Sequence, residues 1–283
     1  MSTTTLERAG ESAPAVPRHQ RNRGVTGLGV LRSEWVKLRS VRSSTVTLAS
    51  AAAALLSVGL IFSAILGGIL STGESPDEFG GDPAGAALSG VTIAQLIIGV
   101  LGVLLITSEY GTGMIRGTLT AVPSRLPVLW AKAAVLTIAT LPLMVVTVLV
   151  TFLVGQSLIG TNGLDTATLG DPGVLRAVLA TGAYLTGVAL IGLAVGTLLR
   201  STAAAISTLF AMVFLLPGLG SVLLPASWRD DVLQLLPSNA GSAFMSVQPG
   251  PELLSAGAGA AVFAAWIVVP FVAAAVALKR RSV

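Results

Sequence analysis

The chain has 283 residues, of which 53% are hydrophobic and only 11% are charged. Soluble domains are nearer a quarter charged, so this composition places the chain in the membrane class. Cysteine is absent and His19 is the only histidine, which excludes disulfides, a thiol nucleophile and a Ser-His-Asp triad in the membrane. The 17 basic residues outnumber the 13 acidic ones, but membrane topology explains that excess, and no nucleic-acid partner is expected.

The chain begins with a polar tail and a basic amphipathic segment. Residues 1–27 are rich in proline and arginine and are expected to form a disordered cytoplasmic tail. Residues 28–43 predict an interfacial helix with Leu28, Leu31, Trp35 and Leu38 on its apolar stripe. The flanking arginines are expected to reach headgroup phosphates, and the residues assigned to this interfacial helix are Arg32, Trp35, Lys37, Arg39 and Arg42. The alternative interpretation is a solvated basic flank of the first span.

Six long apolar runs follow and predict an all-α membrane domain over residues 28–283. Each run is long enough, at about 20 residues or more, to cross about 30 Å of hydrocarbon. The predicted spans are residues 45–70, 88–107, 127–154, 174–199, 203–224 and 255–278, each to within a few residues.

The distribution of charge predicts the orientation of these spans. Six spans place both termini on one side, and 15 of the 17 basic residues then fall on that side. Arg176 and Arg229 are the two exceptions. By the positive-inside rule, both termini and the loop between spans 2 and 3 are predicted to be cytoplasmic.

The outer segment 225–254 predicts short helices of its own. Ser227 is a candidate N-cap with Asp230 three residues on, and Pro237 is expected to end that helix. A second short turn is predicted around residues 243–247.

The loop between spans 2 and 3 predicts a short amphipathic helix. Met114, Ile115, Thr118 and Leu119 share one face of it, and Arg116 lies on the other. Such a helix on the basic side of a membrane protein is a plausible docking element.

The chain lacks the usual groups that supply energy to a transporter. No Walker A pattern occurs, so the chain is not expected to hydrolyse ATP, and no acidic residue falls inside a predicted span. The deepest polar side chains are Gln95 and Thr92 in span 2. They are candidate lining residues of a transport path, although hydrogen bonds between helices are the simpler interpretation. The glycines of span 4, among them Gly192 and Gly196, predict close helix packing inside the subunit or between subunits.

Several motifs resemble those of ABC-2-type transporter permeases. A Glu109-Tyr110 pair ends span 2, and a Gly/Thr-rich amphipathic segment follows it over residues 111–119. The turn AVPSR (121–125) and then Lys132 lead into span 3. The segment SEWVKLRSVRSS (33–44) and the boundary GTLLRS (196–201) also resemble family features, as does the overall topology.

The resemblance implies a membrane permease subunit that pairs with a second permease and binds a separate ABC ATPase subunit, which would hold the ATP and Mg. No cofactor is expected on this chain. The loop between spans 2 and 3 would be the coupling helix, with Glu109, Tyr110, Met114, Ile115, Arg116, Thr118 and Leu119 as its coupling residues. An exporter in a bacterial cell membrane is expected, its substrate left open. The alternatives are a membrane anchor or sensor that transports nothing and, third, a passive channel.

Overall fold

The computed structural model describes residues 26–68, 82–114, 126–161, 163–247, 250 and 253–280. Within those ranges all regular structure is helical, and six helices are long and apolar enough to cross a membrane. They are span 1 (Arg42–Leu66), span 2 (Pro83–Gly111), span 3 (Leu126–Gly160), span 4 (Val174–Leu199), span 5 (Thr202–Leu223) and span 6 (Ala256–Arg280). The number and order of the predicted spans are confirmed, while the cytoplasmic side of the termini stays a prediction. The predicted tail falls almost wholly outside the described residues.

The interfacial helix covers Gly27–Ser40 and starts at Thr26, whose side chain accepts a hydrogen bond from the backbone N–H of Gly29. Extended backbone at Val41 separates this helix from span 1, so the last residues of the predicted 28–43 helix belong to span 1. The buried face also differs from the prediction. It consists of Val30, Glu34 and Leu38, whereas Leu28 is 79% exposed, because the helix packs against the start of span 3.

Span 2 begins five residues before the predicted position. Asp82 accepts a hydrogen bond from the backbone N–H of Ala84, and Pro83 occupies the first helical turn, where its missing N–H is tolerated. A turn at Ser89 and Gly90 interrupts the helix before it continues as Val91–Gly111.

Span 4 is the centre of the bundle and packs against spans 2, 3, 5 and 6. Its glycines allow span 2 to approach closely. A Cβ atom at Gly192 would overlap the carbonyl oxygen of Gly99, and one at Gly102 would overlap that of Ala189. Gly192 of span 4 and Gly102 of span 2 therefore pack inside the subunit, which is one of the two arrangements that the sequence left open for the span 4 glycines.

The segment between spans 5 and 6, which the charge distribution predicts to lie on the outer side, forms two helices, Ala226–Leu233 and Pro237–Met245. The predicted cap is wrong, because the first helix starts at Ala226 with Pro225 at its N-cap and Ser227 makes no capping hydrogen bond. Pro237 begins the second helix, a position where proline loses no helical hydrogen bond. The predicted turn around 243–247 is the end of that helix.

A buried ion cluster as the candidate functional site

The predicted coupling segment begins at the end of span 2. Glu109 and Tyr110 lie in the last turn of that helix, and the chain leaves it through Gly113 with a positive φ of 72°. Met114 is 54% exposed. Ile115, Arg116, Thr118 and Leu119 lie outside the described residues, so the coupling helix itself stays a prediction.

Lys132 is the centre of a buried ion cluster at this end of the bundle. Its side chain is 1% exposed, although it belongs to the first turns of span 3. Its Nζ donates to Glu34 Oε2 at 2.6 Å, to Glu109 Oε1 at 2.7 Å and to the backbone oxygen of Leu105 at 3.3 Å. All three protons of the ammonium group therefore have acceptors.

Lys37 completes the cluster from the interfacial helix. Its Nζ lies 2.6 Å from Glu34 Oε1 and 3.0 Å from Glu109 Oε1. Burial by itself disfavours the charged ammonium group. The hydrogen bonds to the two carboxylates and their negative charges outweigh burial and raise the pKa of Lys37 above its usual value.

The cluster holds two carboxylates and two ammonium groups, so its formal charge is zero. It connects the interfacial helix, the end of span 2 and the start of span 3. Removing one member would leave an uncompensated buried charge, which is strongly destabilising. The cluster therefore holds the three helices together.

The second carboxylate oxygen of Glu109, Oε2, is buried and has no hydrogen-bond partner among the described residues.

Sequence reasoning assigned Glu109, Lys37 and Lys132 to separate motifs and missed Glu34. The only local signal for Glu34 is Lys37 three residues on, a spacing that places both side chains on one helix face. The prediction that no acidic residue lies in a span also needs correction. Glu109 lies in the span 2 helix, which continues to Gly111 because its last turn is packed and paired rather than solvated.

Tyr110 connects the same end of span 2 to the turn between spans 4 and 5. The guanidinium carbon of Arg200 lies 5.4 Å from the centre of the Tyr110 ring, a cation–π geometry. Arg200 ends span 4 in the left-handed conformation, with a φ of 54°, and its backbone N–H donates to the oxygen of Gly196. Two motifs 90 residues apart in sequence are thus neighbours in space.

The two candidate path residues have different environments. Gln95 is buried, and its side-chain oxygen accepts a hydrogen bond from the hydroxyl of Tyr184 in span 4. Thr92 is exposed on the outer surface of the bundle. The hydrogen bond of Gln95 fits the simpler interpretation, a contact between helices, and a role of either residue in a path stays a prediction.

The remaining residues of the interfacial helix are arranged around its buried face. Arg32, Arg39 and Arg42 are exposed, Trp35 is half-buried, and Lys37 turns inward to the cluster. The exposed arginines are free to meet a headgroup layer, while Lys37 acts inside the protein.

These features define a multi-pass helical membrane protein with a buried ion cluster at one end of its bundle. Residues 30–218 match the model of the ABC-2 family transporter protein, and that match covers well over half of the chain. The chain belongs to this family of transport membrane components and is a membrane permease of an ABC transporter. No curated protein matches the chain at a significant level.

Proposed function

We propose that the chain is the membrane subunit of an ATP-driven exporter, energised by a separate cytoplasmic ATPase. Permeases of this family generally work with such an ATPase and as dimers. The sequence offers no Walker A pattern of its own, so the energy has to come from another chain. The observation that carries the proposal is the Glu34–Lys37–Glu109–Lys132 cluster at the point where span 2 enters the loop.

The cluster gives a physical route for coupling. A force applied to the segment after Gly111 acts first on Glu109 and Tyr110. Both lysines hold the same oxygen, Glu109 Oε1, so the interfacial helix and span 3 follow any displacement of Glu109. Separating them would break a buried ion pair at a cost of about 3–5 kcal/mol. The three helices therefore move as one body when the ATPase changes state.

The transport path is proposed to lie between two permease subunits. Thr92 and its neighbour Ile93 are exposed on span 2, and span 5 is the least buried of the six spans. These outer faces of spans 2 and 5 are available to a second subunit. Their lack of charge favours an amphiphilic or hydrophobic cargo. The proposed location is the cell membrane of a bacterium, supported by the positive-inside charge distribution and by a composition with 14 arginines against 3 lysines and many alanines and glycines.

The first experiment is purification of the full chain in mild detergent from its native membranes to identify an associated ATPase subunit, followed by ATP-driven flux in proteoliposomes that contain both subunits. Arg116 is proposed to face the ATPase. Arg116→Glu is expected to reduce flux at least tenfold, because charge reversal would remove that contact with the ATPase, worth about 1.5–3 kcal/mol. Arg23→Glu, the same charge change in the predicted tail, is the matched control and is expected to leave flux unchanged. Failure to co-purify an ATPase, together with normal flux in Arg116→Glu, would contradict the proposal.

The membrane anchor or sensor is the second candidate. It uses the same cytoplasmic surface to recruit a partner and predicts stable binding of the ATPase without flux. ATP-dependent movement of any cargo by the reconstituted pair excludes it.

A further inference from the structure

A groove of about 620 Å³ opens on the outside of the bundle between the start of span 3 and the end of span 6. Its walls are side chains that point away from the bundle, among them Ile138 on span 3 and Val268 on span 6. Leu190 of span 4 and the buried ring of Phe271 line its inner side. Almost all of its lining is apolar.

The groove exists because spans 3 and 6 both pack on span 4 but hardly touch each other. Small side chains face the gap from both sides, for example Ala134 and Ala275. In a membrane, a gap of this kind opens directly to the hydrocarbon of the bilayer. It is therefore filled by acyl chains or by another protein.

The dimensions match one leaflet. The lining runs from Leu126 to Ile138 on span 3 and from Ile267 to Lys279 on span 6. At 1.5 Å per residue each stretch is about 18 Å long. One leaflet contributes about 15 Å to a hydrocarbon core of 30 Å, so the groove accommodates one acyl chain from interface to midplane.

One end of the groove is polar and cationic. Lys279 lines it, Arg280 follows in the last turn of span 6, and the exposed ring of Trp130 stands on the opposite wall against Phe271. Among the described residues neither Lys279 nor Arg280 forms an ion pair. A tryptophan and unpaired basic residues at the end of an apolar groove are the groups that meet a phosphate headgroup at a membrane interface.

We propose that this groove binds one anionic phospholipid of the surrounding bilayer, with an acyl chain along the groove and the headgroup at Lys279. A second copy of the chain fits less well. A two-fold contact at this groove would bring the basic ends of both span 6 helices together, Arg281 included, and like charges oppose such a contact. The proposal does not depend on the transport function.

The test uses the full chain in mild detergent and native mass spectrometry with two lipids of equal acyl chains, phosphatidylglycerol and phosphatidylcholine. One phosphatidylglycerol is expected to remain bound under conditions that strip phosphatidylcholine. Lys279→Gln is expected to weaken its retention about fivefold, the effect of one basic residue at a membrane surface, and Lys279→Arg to preserve it.

A filling variant tests the groove itself. Ala275→Phe places a ring in the groove, whereas Ala273→Phe makes the same change at an exposed position of span 6 outside its lining. Loss of bound lipid in the first variant alone supports the proposal. Equal retention of both lipids, or full retention in both Lys279→Gln and Ala275→Phe, would overturn it. A dimer that Ala275→Phe dissociates without lipid loss would assign the groove to a second copy instead. If Ala275→Phe does not fold, the retention of phosphatidylglycerol in Lys279→Gln compared with Lys279→Arg decides whether the proposal holds.

Discussion

Lys132 and Glu34 are 98 residues apart in sequence and form a 2.6 Å ion pair in which neither side chain is more than 2% exposed. Lys132 lies in the second turn of span 3, and Glu34 lies in the middle of the interfacial helix. This pair fixes the interfacial helix to the bundle. One face of that helix is therefore buried in the protein, while its arginines stay exposed on the opposite side.

Replacing Lys132 by methionine should destabilise the fold strongly. The change leaves Glu34 and Glu109 buried with only Lys37 between them, which is expected to cost about 3–5 kcal/mol. Thermal unfolding in detergent measures the loss. The double variant Lys132→Met/Glu34→Gln should recover part of it because it removes the unpaired charge, and Arg39→Met at an exposed position should change stability by about 0.5 kcal/mol or less. Equal melting temperatures of the wild type and Lys132→Met would refute the buried pair.

Close packing of spans 2 and 4 gives a second prediction. Gly102→Ala adds a methyl group where the carbonyl oxygen of Ala189 lies, so the helices must separate, at a cost of about 1–3 kcal/mol. Gly257→Ala makes the same change in span 6, where no described atom lies within 4 Å of the new Cβ. A melting temperature lowered in Gly102→Ala and kept in Gly257→Ala is expected. The reverse order would mean that the two spans do not approach as described.

The six spans are predictable from the sequence because burial in lipid requires long uncharged runs, and the chain shows each run plainly. The ion cluster is not predictable in this way, because its four members come from three segments and only Glu34 and Lys37 are neighbours in sequence. Pro237 shows why helix boundaries are hard to predict from the sequence, since a proline is compatible both with the end of one helix and with the beginning of the next. Glu109 shows how tertiary pairing lengthens a helix beyond the point where its hydropathy ends.

Arg176 is expected to hold the second outer helix in place. Its guanidinium group donates to the oxygens of Phe244 at 2.8 Å and Ser246 at 2.9 Å, at the C-terminal end of that helix. Arg176→Met should therefore cost about 1.5–3 kcal/mol and increase hydrogen exchange over residues 237–245. Arg229→Met, which removes one longer bond to the oxygen of Leu224, is the matched variant with a smaller expected effect. Unchanged exchange in Arg176→Met would show that the helix is held by its apolar contacts.

The raised pKa of Lys37 predicts a loss of stability at high pH. Because the folded pKa lies above the usual value of 10.5, the stabilisation is complete below that pH and is lost as the pH rises through the folded value. Melting temperatures in detergent should fall over that alkaline range. In Lys37→Arg the fall should be smaller, since arginine stays protonated there. If the melting temperature falls equally at high pH in the wild type and in Lys37→Arg, other titrating groups cause the fall.

Arg200 combines a strained backbone with a ring contact, and two substitutions separate the effects. Arg200→Ala loses the cation–π contact with Tyr110 and keeps an L-residue at a φ of 54°. Arg200→Gly loses the same contact but removes the left-handed strain, which is worth about 1 kcal/mol. The glycine variant should therefore melt at a higher temperature than the alanine variant. In the reconstituted complex, both should weaken coupling of ATP hydrolysis to transport equally, because both disconnect Tyr110 from the turn between spans 4 and 5. If coupling instead follows the order of stability, the backbone conformation of the turn matters more than the ring contact.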